Sequence, residues 1–106
     1  LVAEQLPAHH PQKTVVMGYK TMFEEATNSP VGTFGGYAHD ALRILVNAIE
    51  RAPSTKPQAI RDAIENTKGL VGVTGVYTFS KTDHLGLDLS AFRMLEVKNG
   101  GWVIVP

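Results

Sequence analysis

The hydrophobic pattern of this chain changes period once, at Gly69: before it apolar residues recur at helical spacing, and after it they alternate. Over 12–27, Val15, Tyr19, Met22, Phe23 and Ala26 share a helical face while Lys13, Lys20, Glu24 and Glu25 take the others. Asn28-Ser29-Pro30 ends that helix, because proline disfavours helical geometry in the residue before it. A loop, Val31-Gly32-Thr33-Phe34-Gly35-Gly36, follows. A second helix is predicted from about Tyr37 to Arg51, with Ala38, Ala41, Leu42, Leu45, Ala48, Ile49 and Ala52 forming a broad apolar stripe. Pro53 stops it, and Pro57 suits the first turn of a third helix that carries Ala59, Ile60, Ala63 and Ile64. That helix is expected to end near Gly69 as a left-handed cap.

Beyond Gly69, the segment 73–79 (VTGVYTF) alternates and is rich in β-branched and aromatic residues, as a strand should be. A polar loop covers 80–88, and 92–97 pairs with 102–105 across Lys98-Asn99-Gly100-Gly101, where Asn-Gly signals a hairpin. Three helices followed by a strand and a C-terminal β-hairpin, with no β-α-β alternation, would alone suggest a small α+β arrangement. Two or three strands make too small a sheet to cover three helices, so packing partners are expected to lie outside the chain.

At 106 residues there is room for one domain. Apolar content of 43% is enough for a core and far from the signature of disorder. Ten basic residues balance ten acidic ones, so no basic field draws the chain to a phosphate backbone, and no nucleic-acid partner is expected. The absence of cysteine excludes a disulfide framework, a Cys-type zinc site and a thiol nucleophile within these residues. No apolar run approaches the roughly 20 residues needed to span a bilayer, and the opening Leu1-Val2-Ala3-Glu4-Gln5 carries no leader pattern. A chain that opens without Met reads as a processed or cut piece.

Catalytic chemistry finds little footing. His39-Asp40 invites a triad with Ser29 or Ser80, but adjacent helical residues point about 100° apart and no Gly-x-Ser-x-Gly elbow is present. His9, His10, His39 and His84 show no i, i+4 metal-ligand spacing, and Thr82-Asp83-His84-Leu85-Gly86 falls short of a calcium loop. Gly32-Thr33-Phe34-Gly35-Gly36 leads into a helix start, yet lacks the Gly-Lys-Ser/Thr of a P-loop and the preceding strand of a dinucleotide fingerprint. No cofactor is expected. Phe34, flanked by glycines that permit close approach, is either a plug into the core or a wall of a binding cleft.

Gly35-Gly36-Tyr37-Ala38-His39-Asp40-Ala41-Leu42 followed by Ala48-Ile49-Glu50-Arg51-Ala52 resembles the aromatic, Ala, Tyr, Asp-Ala helix of the type I periplasmic substrate-binding proteins. These are the leucine/isoleucine/valine-binding family that serves ABC importers. The resemblance continues through Ala59-Ile60-Arg61-Asp62-Ala63-Ile64, then 72–80, then Asp83-His84-Leu85-Gly86-Leu87, and ends in Val97-Lys98-Asn99-Gly100-Gly101-Trp102-Val103, nearly the whole chain. It implies the C-terminal portion of a two-lobed α/β clamshell, with 1–106 a single fragment. Within it, 11–86 would be mostly first-lobe helices and one strand, 90–106 a hairpin crossing to the second lobe, and 1–7 the tail of a second-lobe segment. The implied function is periplasmic capture of a small solute and its presentation to the membrane permease of an ABC importer, with no bond made or broken. The default ligand is a branched-chain or other amino acid, and similar proteins bind aromatic acids or amides. The same clamshell also serves as a ligand-sensing module of receptors and regulators. By resemblance Phe34 falls where the family places an aromatic against the ligand, shifting the balance from plug to cleft wall, with Gly35 and Tyr37 beside it. His39 stands where the family usually has Tyr. The apolar stripe of the second helix, facing a sheet this chain does not contain, implies that the fragment self-associates as a dimer.

Overall fold

The computed structural model describes residues 3–106. The expectation for 1–7 therefore falls partly outside the described residues. The first helix, α1 (Lys13–Thr27), forms where the 3.6-residue period predicts it. It ends on Asn28 in the left-handed region (φ 51°), whose N–H donates to the Glu24 carbonyl at 2.9 Å. Its buried face is Val16 and Tyr19, with Val15, Met17 and Phe23 partly covered and Met22 left exposed.

The second helix, α2 (Thr33–Arg51), begins four residues before the predicted Tyr37. Phe34, Gly35 and Gly36 are therefore first-turn helical residues and not loop. Gly36 is there for close approach: a Cβ on it would stand 3.1 Å from Val73 Cγ1 and 3.2 Å from Thr74 Cγ2. Propensity alone reads Gly35 and Gly36 as turn residues, whereas close packing against Tyr19, Val73 and Thr74 is what selects them. The third helix, α3 (Pro57–Glu65), has its proline in the first turn as expected. It stops at Glu65, with Asn66 donating to the Asp62 carbonyl through both its N–H (3.1 Å) and its side-chain amide (2.8 Å). Gly69 is left-handed (φ 62°), but it turns the chain toward the next strand and does not cap α3. α3 packs on α2, whose Ala48 is fully buried, and Arg51 ties the two C-terminal ends together by donating to the Ala63 carbonyl (2.9 Å) and Thr67 Oγ1 (2.7 Å).

The predicted single strand 73–79 is instead part of a tight antiparallel pair, β1 (Leu70–Val71) and β2 (Val76–Tyr77), with Leu70 opposite Tyr77 and Val71 opposite Val76. Residues 72–75 make the turn, closed by Gly72 N–H to the Gly75 carbonyl at 2.8 Å. Alternation alone could not reveal this, because the N–H groups of Val73 and Thr74 are withdrawn from any ladder by a side chain of α2. The closing hairpin, β3 (Leu95–Lys98) and β4 (Gly101–Ile104), turns through Asn99 (φ 51°) and Gly100 (φ 77°), both left-handed as a type I′ turn requires. Its first strand begins at Leu95 and not at the predicted 92, since 89–91 form a 3-10 turn capped by Asp88. The amide of Gln5 grips the hairpin edge, donating to the Trp102 carbonyl at 2.8 Å and accepting from Ile104 N–H at 2.9 Å.

The buried core is small, centred on Val16, Tyr19 and Val73. The radius of gyration is 15.6 Å, against about 13 Å for a compact domain of this length. Accessible surface is 7252 Å², against about 5,800 Å² for a folded monomer of this mass. Large apolar side chains are among what is open: on α2, Leu42 is 63% exposed, and Leu45, Val46 and Ile49 are open beside it. The chain thus folds as a slab whose helical face is uncovered.

Candidate functional site

Where the start of α2, the end of the 3–12 segment, the 72–75 turn and the closing hairpin converge, they enclose a cleft of about 480 Å³, within the usual range for small-molecule sites. Leu6, Val16, Val73, Tyr37 and Trp102 supply apolar and aromatic wall; Gln12, Thr33, Thr74 and Ser90 supply polar groups. Arg93 and His10 bring the charge-bearing groups, and among the described residues no Asp or Glu lines the cleft.

Each wall is held from behind. Gln12 is buried and donates to the carbonyls of Gly72 (3.1 Å) and Val73 (3.3 Å), fixing the start of α1 to the turn. Asp40 is 1% exposed and accepts from Val73 N–H (2.8 Å), Thr74 N–H (2.8 Å) and Thr74 Oγ1 (2.6 Å). Thr74 Oγ1 in turn lies 2.6 Å from the Tyr77 hydroxyl, whose pKa is pushed up from 10.0 first by burial. Gly72 makes this clamp sterically feasible, since a Cβ there would sit 2.6 Å from Asp40 Oδ2. One helical carboxylate therefore shapes the turn that carries Val73 and Thr74 into the cleft.

This use of Asp40 accounts for the pair that looked catalytic. Both carboxylate oxygens are committed to the turn, and His39 Nδ1 stands 3.7 Å from Oδ1, beyond hydrogen-bond reach. The His39 ring packs on Tyr19 at a centroid distance of 4.8 Å. His84 pairs with the buried Glu65 (3.1 Å), which also receives Arg61 at 2.9 Å. Among the described residues no cluster of three His, Asp or Glu side chains is arranged for a metal ion. Among them, too, no helix is long and apolar enough to cross a membrane.

The three residues singled out from the sequence are separated by the structure. Tyr37 lines the cleft and is half exposed. Phe34 is 89% exposed on the first turn of α2, so it does not plug the core of this chain, and it is not among the residues lining the cleft. Gly35 lies against α1, where an added Cβ would meet the Tyr19 hydroxyl at 2.6 Å. Sequence reasoning missed Gln12, Thr74, Arg93 and Trp102 as cleft residues, because they come from four separate segments and carry no common spacing.

The fold has counterparts among solved structures. A crystal structure of an extracellular ligand-binding receptor from Rhodopseudomonas palustris HaA2 matches 98% of this chain at 30% identity with a TM-score of 0.81, and the match covers 31% of that protein. A second extracellular ligand-binding receptor from Rhodopseudomonas palustris matches 98% of the chain at 29% identity with a TM-score of 0.79, again over 31% of its length. A periplasmic binding protein type 1 from Bordetella pertussis Tohama I matches 92% at 26% identity with a TM-score of 0.71, over 30% of its length. No protein-family model matches the sequence, and the comparison with curated proteins returns no match. The chain therefore has the fold of a portion of these extracellular ligand-binding receptor and periplasmic binding protein type 1 structures, and the resemblance read from its sequence is borne out. It spans about a third of the length of the solved structures it resembles.

Proposed function

We propose that this chain forms one wall of the ligand cleft in a two-lobed periplasmic solute-binding protein, which captures a small molecule and presents it to the permease of an ABC importer. A branched-chain or other amino acid is the default ligand. In this reading 11–86 are mostly first-lobe helices and one strand and 90–106 cross to the second lobe, so the cleft between α2 and the hairpin lies at the junction that closes on the solute. The protein works by binding alone, without a cofactor and without breaking a bond. The observation that carries the reading is the 480 Å³ cleft with an aromatic lining, Tyr37 and Trp102, in a chain that matches about a third of a ligand-binding receptor.

Tyr37 contributes ring surface to the ligand from within the cleft, and Phe34 does so from the first turn of the same helix once the remaining lobe stands opposite it. Gly35 keeps α2 close to α1 so that both aromatics are held at the rim. The test is titration of the full-length protein with a panel of amino acids, aromatic carboxylates and amides. At least one binds, and Phe34→Ala or Tyr37→Ala weakens it by about 1 to 3 kcal/mol, the worth of a buried aromatic contact. Unchanged affinity in both variants removes this helix from the site. Separated from the rest, the chain pairs with a second copy through the open α2 face.

A further inference from the structure

We propose that Asn99 is a self-modification site, where attack by the Gly100 backbone nitrogen on the Asn99 carboxamide yields an isoaspartate that breaks the closing hairpin. The four asparagines of the chain are followed by Ser29, Ala48, Thr67 and Gly100, so only at Asn99 is the attacking nitrogen unshielded by a side chain. Asn99 and Gly100 are exposed at the tip between β3 and β4, and a Cβ on Gly100 would meet nothing within 4 Å. Lys98 and Gly101 pair across the two-residue turn, whose closing bond runs between them, so the Gly100 N–H takes no part in the ladder. Two other asparagines have their carboxamides fixed: Asn47 Oδ1 accepts from Arg51 at 2.9 Å, and Asn66 Nδ2 donates to the Asp62 carbonyl at 2.8 Å. Among the described residues the Asn99 carboxamide has no such partner and is free to rotate.

The step needs water and no other reagent. The Gly100 nitrogen bonds to Asn99 Cγ, the bond from Cγ to the amide nitrogen breaks, and that nitrogen leaves as ammonia with the proton Gly100 gives up. Ring closure requires a rotation of the Asn99 backbone out of its left-handed conformation (φ 51°), which the unpacked tip allows by local opening. Water then opens the cyclic imide at either carbonyl. Opening at Cγ leaves aspartate, and Asp-Gly serves a type I′ turn as well as Asn-Gly does. Opening at the backbone carbonyl leaves isoaspartate, with the chain running through Cγ and one methylene longer. A two-residue turn has no room for that methylene, so the register set at Lys98–Gly101 slips. The next pair is Val97 with Trp102, whose ring lines the cleft and whose carbonyl accepts from Gln5 at 2.8 Å. The damage therefore follows the isoaspartate and not the loss of ammonia.

The experiment ages the full-length protein in mildly alkaline buffer and follows it by peptide mapping, with mass-spectrometric fragmentation that separates aspartate from isoaspartate. Asn99 converts before Asn28, Asn47 and Asn66, and faster as pH rises, because the attacking nitrogen must lose its proton. Hydrogen exchange is then read on the same samples with no solute present, so the result does not depend on the ligand-capture reading. In the isoaspartate form the amides of Glu96 and Val103, which pair across the hairpin, exchange about 5-fold faster or more, the worth of about one lost backbone hydrogen bond. Asn99→Asp leaves exchange at these amides close to that of the unaged protein. Asn99→Gly keeps a turn-compatible Gly-Gly pair and shows no change on ageing. Conversion at Asn28, Asn47 or Asn66 ahead of Asn99, or no isoaspartate at Asn99 after prolonged ageing, overturns the site. Isoaspartate at Asn99 with hairpin exchange unchanged overturns the claim that it breaks the turn.

Discussion

Asp40→Ala removes the carboxylate that organises the 72–75 turn, and its cost follows from the contacts. Three hydrogen bonds of 2.6 to 2.8 Å end on this side chain, two from backbone N–H groups and one from Thr74 Oγ1. Each hydrogen bond to a charged acceptor contributes about 1.5 to 3 kcal/mol, but the three share one group and do not add in full. With alanine, the Val73 N–H is left buried without an acceptor and a small cavity opens. Together these give a destabilisation of about 3 to 5 kcal/mol, a large share of the stability of any single domain. Asp40→Asn keeps one accepting oxygen but turns an amide donor toward another donor, for about 2 kcal/mol. Urea unfolding followed by circular dichroism reads the global effect, and amide hydrogen exchange at Val73 and Thr74 reads the local one. Both amides should exchange far faster in Asp40→Ala. A loss below about 1 kcal/mol with unchanged exchange at those two amides would refute the clamp.

Gly72→Ala should act at the same place from the other side: its Cβ would fall 2.6 Å from Asp40 Oδ2, so it displaces the carboxylate and costs about 2 to 3 kcal/mol in the same unfolding assay. Gly100→Ala places a side chain at φ 77° in the type I′ turn, and chemical-shift mapping should find its effects confined to β3 and β4, with about 1 kcal/mol lost. The Glu65 carboxyl is held below its ordinary 4.5 first by the Arg61 hydrogen bond and then by His84, against a burial effect of opposite sign. Its stabilising contribution is full above that ordinary value and is lost as pH falls through the lowered folded value, so Glu65→Gln should flatten the acid limb of a stability-against-pH curve. The isolated chain should scatter light as a species of about twice 11.5 kDa at micromolar concentration, and Leu42→Glu with Ile49→Glu should return it to the monomer.

The positions of the three helices and of the terminal hairpin were legible because each carries its own local signal: periodicity for α1, Pro57 for α3, Asn99-Gly100 for the turn. The start of α2 was not, because Gly35 and Gly36 read as loop residues when only their propensity is weighed. Their packing against Tyr19 and Val73 involves partners sixteen and thirty-seven positions away in the chain, which no window on the sequence can contain. The splitting of 73–79 fails for the same reason: Asp40 decides it from another element. Tyr37 was identified through resemblance and lies on the cleft. Arg93 was invisible, since an arginine before a strand has no signature until its guanidinium is seen fastened to two carbonyls beside an imidazole.

Calorimetric titration of the isolated chain and of the full-length protein, side by side and with the same panel of amino acids and organic acids, bears most directly on the role assigned to this cleft. A small-molecule site buries most of its ligand, and this chain supplies one wall. The full-length protein should bind at least one compound at micromolar or tighter concentration, with Tyr37→Ala weakening it, while the isolated chain binds none of them. A micromolar dissociation constant for the isolated chain, or a full-length complex indifferent to Tyr37, would contradict the account.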